Sequence, residues 1–220
     1  MSETSRSQTF KVPSRRPGRF IVVEGIDGAG TTTQARHVAE RLRGLGKDVI
    51  ATFEPSEGPV GVMIRAALEG RGRGFDWATL ALLFAADRLD HLAANVQPHI
   101  LSGTWVISDR YTLSSLVYQS VTAPPEVPDA LEWVRGLNRS ARLPDLTLVL
   151  DVPSAVAHER REKRGAPEEL FDAASLQERL AQAYARAQQL APEQRVVHVS
   201  GLGAEHEITD RLVAAILAAL

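Results

Sequence analysis

The sequence predicts one α/β domain, a five-stranded parallel sheet with helices on both faces. Three observations predict it. Short runs rich in β-branched residues alternate along the chain with stretches of helical period, as βαβ units do. The first run, Phe20–Glu24, passes directly into a glycine-rich turn and then an amphipathic helix. Polar clusters follow the carboxyl ends of the runs, where open parallel sheets bind their ligands. At 220 residues with 44% hydrophobic content, the chain can bury a single sizeable core.

The elements follow in order. Residues 1–18 are polar and basic (Arg6, Lys11, Arg15, Arg16), lack a signal-peptide stretch, and read as a disordered tail before a domain over 19–220. Phe20–Glu24 is apolar up to its last residue, as a strand covered on both faces must be. The next helix sets Ala35, Val38, Ala39, Leu42 and Leu45 on one stripe and stops near Gly44 and Gly46. Val49–Phe53 is the second strand, and a helix covers 60–69. A single long helix is expected over 76–101, burying Leu80, Leu83, Leu89, Leu92 and Val96. The third strand spans 105–108. Pro124-Pro125-Glu126-Val127-Pro128 forms a loop into a helix ending near Asn138. Leu146–Asp151 and Val196–Ser200 complete the sheet, with helices over 154–161, 175–190 and 205–220. No internal repeat or second domain is evident.

Composition narrows the function. A net charge of −2 gives no bias toward nucleic acid or a membrane surface, and neither is expected as a partner. No apolar run approaches the ~20 residues of a membrane helix. The absence of cysteine removes disulfides and thiolate metal sites and suits a reducing cytoplasm.

The chemistry begins after the first strand. Gly25-Ile26-Asp27-Gly28-Ala29-Gly30-Thr31-Thr32 fits the phosphate-loop pattern G-x-x-x-x-G-K-[ST] everywhere except Thr31, which stands where the lysine belongs. Glycines let successive N–H groups turn toward one anion, and the helix opening near Gly30 directs its dipole and free N–H groups to the same point. Thr32 carries the hydroxyl that such loops offer to Mg2+. The expected fold is therefore a P-loop NTPase.

Strand three ends in Asp109-Arg110-Tyr111, followed by Ser114, Ser115, Tyr118 and Gln119. An acid there suits magnesium or an attacking oxygen, and an arginine offers phosphate a planar fork. Phe84 and Arg88 lie four apart on one helical face, able to stack a base and bind a phosphate. The run Arg160-Arg161-Glu162-Lys163-Arg164, before Gly165 and Pro167, suits a mobile lid over about 160–172.

Together these segments resemble the thymidylate kinase family, from about Gly18 to the C-terminus. The most specific pieces are Glu24 through Gly30, Leu83 through Arg88, Asp109-Arg110-Tyr111 with Ser114-Ser115 and Tyr118-Gln119, and Pro144 through Val152. The resemblance implies a nucleoside monophosphate kinase with a three-layer architecture and short lid, moving the γ-phosphate of ATP to dTMP with Mg2+, as a homodimer. It implies that Gly25 through Thr32 bind ATP and that Phe84 stacks on thymine. Ser115 and Gln119 would bond the base edge, and Arg88 and Arg110 the acceptor phosphate. Asp27 would meet the sugar 3′-hydroxyl, while Tyr118 would exclude a 2′-hydroxyl. Asp109 would help Thr32 order magnesium. The loop interior carries no basic residue, which matches the family's lid-arginine type, with Arg160 or Arg164 as the transition-state cation.

Three departures stand out: Thr31, Phe53 where many bacterial relatives have arginine before Glu-Pro, and Leu170 where the lid commonly has arginine. Two other readings stay open from sequence. Asp109-Arg110 and the phosphate loop also suit a deoxynucleoside kinase, and Thr31 suits a non-catalytic nucleotide-binding protein.

Overall fold

β1 (Phe20–Glu24) is buried along its entire length because it lies at the middle of the sheet, between β3 (Trp105–Asp109) and β4 (Leu146–Asp151). With β2 (Val49–Phe53) and β5 (Val196–Ser200) at the edges, the order is β2-β3-β1-β4-β5, all parallel. The register pairs Val23 with Asp109 and Glu24 with Val149, so the motif-bearing strand ends share one edge. The computed structural model describes residues 17–71, 74–165, 170–171 and 173–220. Most of the expected tail lies outside these residues. Gly18, counted in that tail, is buried and donates its N–H to the Ile100 carbonyl at 2.7 Å. A Cβ at Gly18 would lie 1.8 Å from the Thr104 carbonyl oxygen, which ties the chain to the sheet two residues before β1.

Alternation along β1 divides the core. Ile21 and Val23 join Ala35, Val38 and Leu42 of α1 (Thr31–Gly44), while Phe20 and Val22 meet Leu92, Val96 and Ile100 on the other face. Leu45, expected on the α1 stripe, lies past the helix end and is 53% exposed. α2 (Pro59–Leu68) follows β2. The expected long helix is divided: α3 (Trp77–His91), a π-helical turn over Leu92–Val96, and α4 (Gln97–Leu101). Pro98 has no N–H for the preceding turn and its ring crowds the carbonyl four residues back, so a widened turn before it accommodates the proline. Asp76 sits before the helix as its cap, accepting from the Thr79 N–H at 2.9 Å. Leu89, expected in the core, is 41% exposed because that face of α3 has no covering element among the described residues.

α5 (Thr112–Thr122) is the element that the sequence reading leaves unassigned. α6 (Ala130–Asn138) follows the proline loop, and α7 (Ser154–Arg164) runs one turn further than expected. The helix expected over 175–190 is two, α8 (Ala174–Tyr184) and α9 (Ala187–Leu190). α10 (Glu205–Ala219) closes against α1. Among the described residues, no helix is long and apolar enough to cross a membrane.

Candidate active site

The glycine loop is shaped by two left-handed residues, Gly28 at φ 89° and Gly30 at φ 97°. Gly28 is also a contact point: a Cβ there would lie 2.2 Å from the Ala157 carbonyl oxygen of α7. The loop thus rests on the helix that leads into the expected lid. Two arginines of α7 fasten it further. Arg160 donates to the Ala29 carbonyl at 3.2 Å and the Gly201 carbonyl at 2.9 Å, and Arg161 donates to the Asp27 carbonyl at 2.5 Å. Arg160, expected as a transition-state cation, therefore braces the loop here. The side chain of Arg164, its alternative, lies outside the described residues, as do 166–169 and 172 of the lid.

α1 starts at Gly30 without a side-chain cap and without an acid in its first turn, so its first N–H groups and dipole remain available to an anion. Thr31 is 6% exposed, and its methyl lies 3.2 Å from where a Gly25 Cβ would stand. It packs inward and brings no charge to the loop.

Thr32 and Asp109 meet where β1 and β3 end, the threonine hydroxyl donating to Asp109 Oδ2 at 2.5 Å. Asp109 is 7% exposed, and its Oδ1 has no hydrogen-bond partner among the described residues. A buried carboxylate oxygen without a partner beside a hydroxyl fits a hard divalent cation.

Next along the chain, Arg110 adopts a left-handed φ of 67°, the single described non-glycine residue to do so. That twist lets its N–H bond the Val23 carbonyl at 2.9 Å while its side chain turns over the glycine loop. There it donates to the Gly25 carbonyl at 3.0 Å and to Asp27 Oδ1 at 2.5 Å, and it lies 5.2 Å from the Tyr118 ring centre. Asp27 Oδ2 in turn accepts from the Tyr118 hydroxyl at 2.8 Å and from Gln177 Nε2 at 2.9 Å. Burial raises Tyr118 well above the usual phenol range, against the pull of Arg110 and with Asp27 adding to it, so the hydroxyl stays protonated and donates.

Beneath them lies Glu24, fully buried at the end of β1. It accepts from the N–H groups of Tyr111 and Ser114 at 2.9 and 3.1 Å, and from the hydroxyls of Ser114 and Tyr184 at 2.6 and 3.1 Å. A carboxylate from a distant strand thereby caps the first turn of α5. Burial raises the Glu24 pKa, partly offset by the Ser114 hydrogen bond. The sequence reading gave Glu24 no role; a charged residue ending an otherwise apolar central strand was the available signal.

A cavity of about 340 Å³ opens beside this constellation. Asp27, Thr32, Phe84, Arg88, Asp109, Arg110, Ser115, Tyr118 and Gln119 all line it, so the expected acceptor-side residues do converge. Gln119 is 2% exposed, and its Oε1 lacks a partner among the described residues. Phe171, from the far end of the lid, also lines the cavity, with its ring 5.4 Å from that of Tyr118.

Arg88 departs from expectation in its partners. Its Nε donates to Glu54 Oε2 at 2.9 Å, with Nη2 equally close to that oxygen. Nη1 donates to Ser115 Oγ at 3.1 Å and to Asn138 Oδ1, and Nη2 to the Tyr111 carbonyl at 3.0 Å. All three nitrogens have protein partners at 2% exposure, so the guanidinium orders the wall of the cavity that it also lines. His91, one turn on, faces the same Glu54 at 3.2 Å, and Asp87 holds the Ser56 N–H and hydroxyl at 2.7 and 2.6 Å. Three residues of α3 thus clamp the segment after β2. Sequence spacing put Asp87, Arg88 and His91 on adjoining helical positions but could not supply the loop they bind.

A parallel sheet in this order, with a glycine loop feeding α1 and an acid ending the adjacent strand, defines a P-loop nucleotide-binding protein. The thymidylate kinase family model matches residues 23–210. The chain is 40% identical over 202 residues to the probable thymidylate kinase of Thermococcus onnurineus (strain NA1), covering 89% of this chain and 95% of that one. It is 36% identical over 205 residues to the thymidylate kinase of Rhizorhabdus wittichii (strain RW1), covering 91% and 97%. It is also 45% identical over 149 residues to that of Thiobacillus denitrificans, covering 66% and 70%. The chain belongs to the thymidylate kinase family.

Proposed function

We propose that this protein transfers the γ-phosphate of ATP to dTMP, giving dTDP and ADP. The observation that carries the reading is the single cavity running from Phe84 and Gln119 at one end to Thr32, Asp109 and Arg110 at the other. One end suits a base and the other a phosphate, and the glycine loop adjoins the phosphate end through Asp27. At about 340 Å³ the cavity falls within the ~300–1,000 Å³ typical of small-molecule sites.

In this reading Phe84 stacks on thymine and Ser115 and Gln119 meet its polar edge. The partnerless Gln119 Oε1 suits the one ring N–H of thymine. Tyr118 and Asp27 face the sugar. The acceptor phosphate falls to Arg88 and Arg110, and Arg88 also holds Ser115 in place. Gly25, Ile26, Asp27, Gly28, Ala29, Gly30, Thr31 and Thr32 present their backbone to the donor phosphates. Thr32 and Asp109 would hold Mg2+, which when bound neutralises phosphate charge. The chain's own contribution is alignment: glycine-loop N–H groups fix one phosphate and Arg110 the other, so attack proceeds in line. The lid-arginine type fits a glycine loop without a basic side chain, and Arg160 then leaves the Ala29 carbonyl for the transferring phosphate when nucleotide binds.

Incubating the pure protein with MgATP and each nucleoside monophosphate tests the reaction. Formation of dTDP from dTMP is expected; phosphorylation of thymidine instead, or nucleotide binding without turnover, overturns it.

A homodimer through the helical face is part of this reading. Leu82 and Leu89 of α3 and Val62 and Met63 of α2 are 50%, 41%, 53% and 49% exposed, an apolar stripe suited to a second copy. Sedimentation should give a dimer that Leu82→Glu dissociates; an unaltered dimer moves the interface elsewhere.

A further inference from the structure

A second cavity, of about 240 Å³, abuts the first, and Thr32, Phe53 and Asp109 line both. The junction of the two is therefore the place where donor and acceptor phosphates would meet. The outer wall of the second cavity includes Arg36 of α1. Arg36 lies four residues after Thr32, on the same helical face and about 5–6 Å away between Cβ atoms.

The partners of Arg36 distinguish it from the other arginines here. Arg88 and Arg110 are engaged with Glu54 and Asp27, Arg65 with the Pro55 and Ser56 carbonyls, and Arg160 and Arg161 with carbonyls of the glycine loop. Arg36 makes no hydrogen bond or ion pair among the described residues. Glu40, one turn further along α1 and the usual partner for a helical arginine, is not bonded to it. An ordinary surface charge would have taken that partner, whereas this exposed side chain instead forms part of a cavity wall.

The same cavity is short of positive charge. Thr31 contributes none, and Phe53, at the shared wall, is an uncharged aromatic. Asp109 adds a carboxylate, and two phosphates would add more negative charge. We propose that Arg36 is a phosphate-contacting residue of this enzyme, reaching from α1 to the junction and supplying positive charge that positions 31 and 53 do not. A guanidinium suits this because its planar fork binds two phosphate oxygens at once. The proposal rests on the kinase reading above, and the ligand is a phosphate oxygen of either the donor or the acceptor.

The test is steady-state kinetics of Arg36→Ala and Arg36→Lys, with thymidine affinity and melting temperature measured alongside. Arg36 is exposed and alanine is the best helix former, so the variant should fold as the parent does. Arg36→Ala should lower kcat/KM by about 10²-fold, the usual loss for one positioned donor, with thymidine affinity unchanged. A raised KM for dTMP would assign the contact to the acceptor phosphate; a fall confined to kcat would assign it to the transferring group. Either supports the proposal. Installing Phe53→Arg or Thr31→Lys in Arg36→Ala should recover at least about tenfold. Parental kinetics in Arg36→Ala, or an equal loss of thymidine affinity, overturns the proposal while leaving the kinase reading intact. If the parent protein forms no dTDP, it is the kinase reading that has failed.

Discussion

The acceptor side and the donor side of the cavity are held in contrasting ways. On the acceptor side, Arg88, Glu54, His91 and Asp87 lie buried and bond one another or the segment after β2, and Glu24 caps α5 from below. Charged groups removed from water persist only when fully partnered, so this wall has one arrangement available to it. On the donor side, a glycine loop is braced by half-buried arginines that bond backbone carbonyls, contacts that water can replace at little cost. In the proposed reading the acceptor wall is preorganised, and the donor loop is poised to exchange protein partners for nucleotide. That division suits a kinase, which must recognise a base by fixed geometry but rearrange cations around a phosphate as it moves.

The sharpest way to break this contrast is Arg88→Ala. It leaves Glu54 buried without its partner, which should cost about 3–5 kcal/mol of stability in urea unfolding. It should also weaken dTMP far more than ATP in calorimetric titration. A loss below about 1 kcal/mol, the value of a surface ion pair, would mean that the acceptor wall is no more rigid than the donor loop.

Gly28→Ala should come next. The left-handed φ of 89° costs an alanine roughly 1–2 kcal/mol, and the Ala157 carbonyl leaves no space for its methyl. The glycine loop must then shift away from α7, so ATP affinity should fall at least about tenfold while dTMP binding stays near parental. Equal weakening of both would show that the two sides do not move independently.

The smallest effect concerns Glu24. Burial raises its pKa in the folded state, so the folded protein holds the proton more tightly than the unfolded chain does. Its contribution to stability is complete below the ordinary value of 4.5 and is lost as pH rises through the raised value. Glu24→Gln should remove that decline, because the glutamine oxygen can still accept from Tyr111 and Ser114 and the nearby hydroxyls can turn to accept from its NH2. Melting temperature recorded from pH 4 upward should show a shallower fall than in the parent. Parallel curves would exclude Glu24 as the titrating group.

Much of this was legible in sequence for a simple reason. β1 is covered on both faces, so residues 20–23 had to be continuously apolar, and Gly28 and Gly30 occupy angles that side chains avoid. The division of the 76–101 helix was less legible because hydrophobic period does not register a single widened turn before Pro98. α5 was missed because its residues are read as a cluster of ligands, and its cap comes from Glu24, which precedes it by most of the chain's first half.

Sequence by itself determined the strand and helix types, the glycine loop and most of the polar residues that line the cavity, because local periodicity and backbone sterics act over a few residues. Tertiary structure alone decided their partners. It gave Arg88 the partners Glu54, Ser115 and Tyr111, set Arg160 and Arg161 against the loop, and placed Arg36 in the wall of a cavity that Thr32 and Asp109 also line. The reason is that a guanidinium takes whichever acceptors the fold brings within reach, and those come from segments far away in the chain.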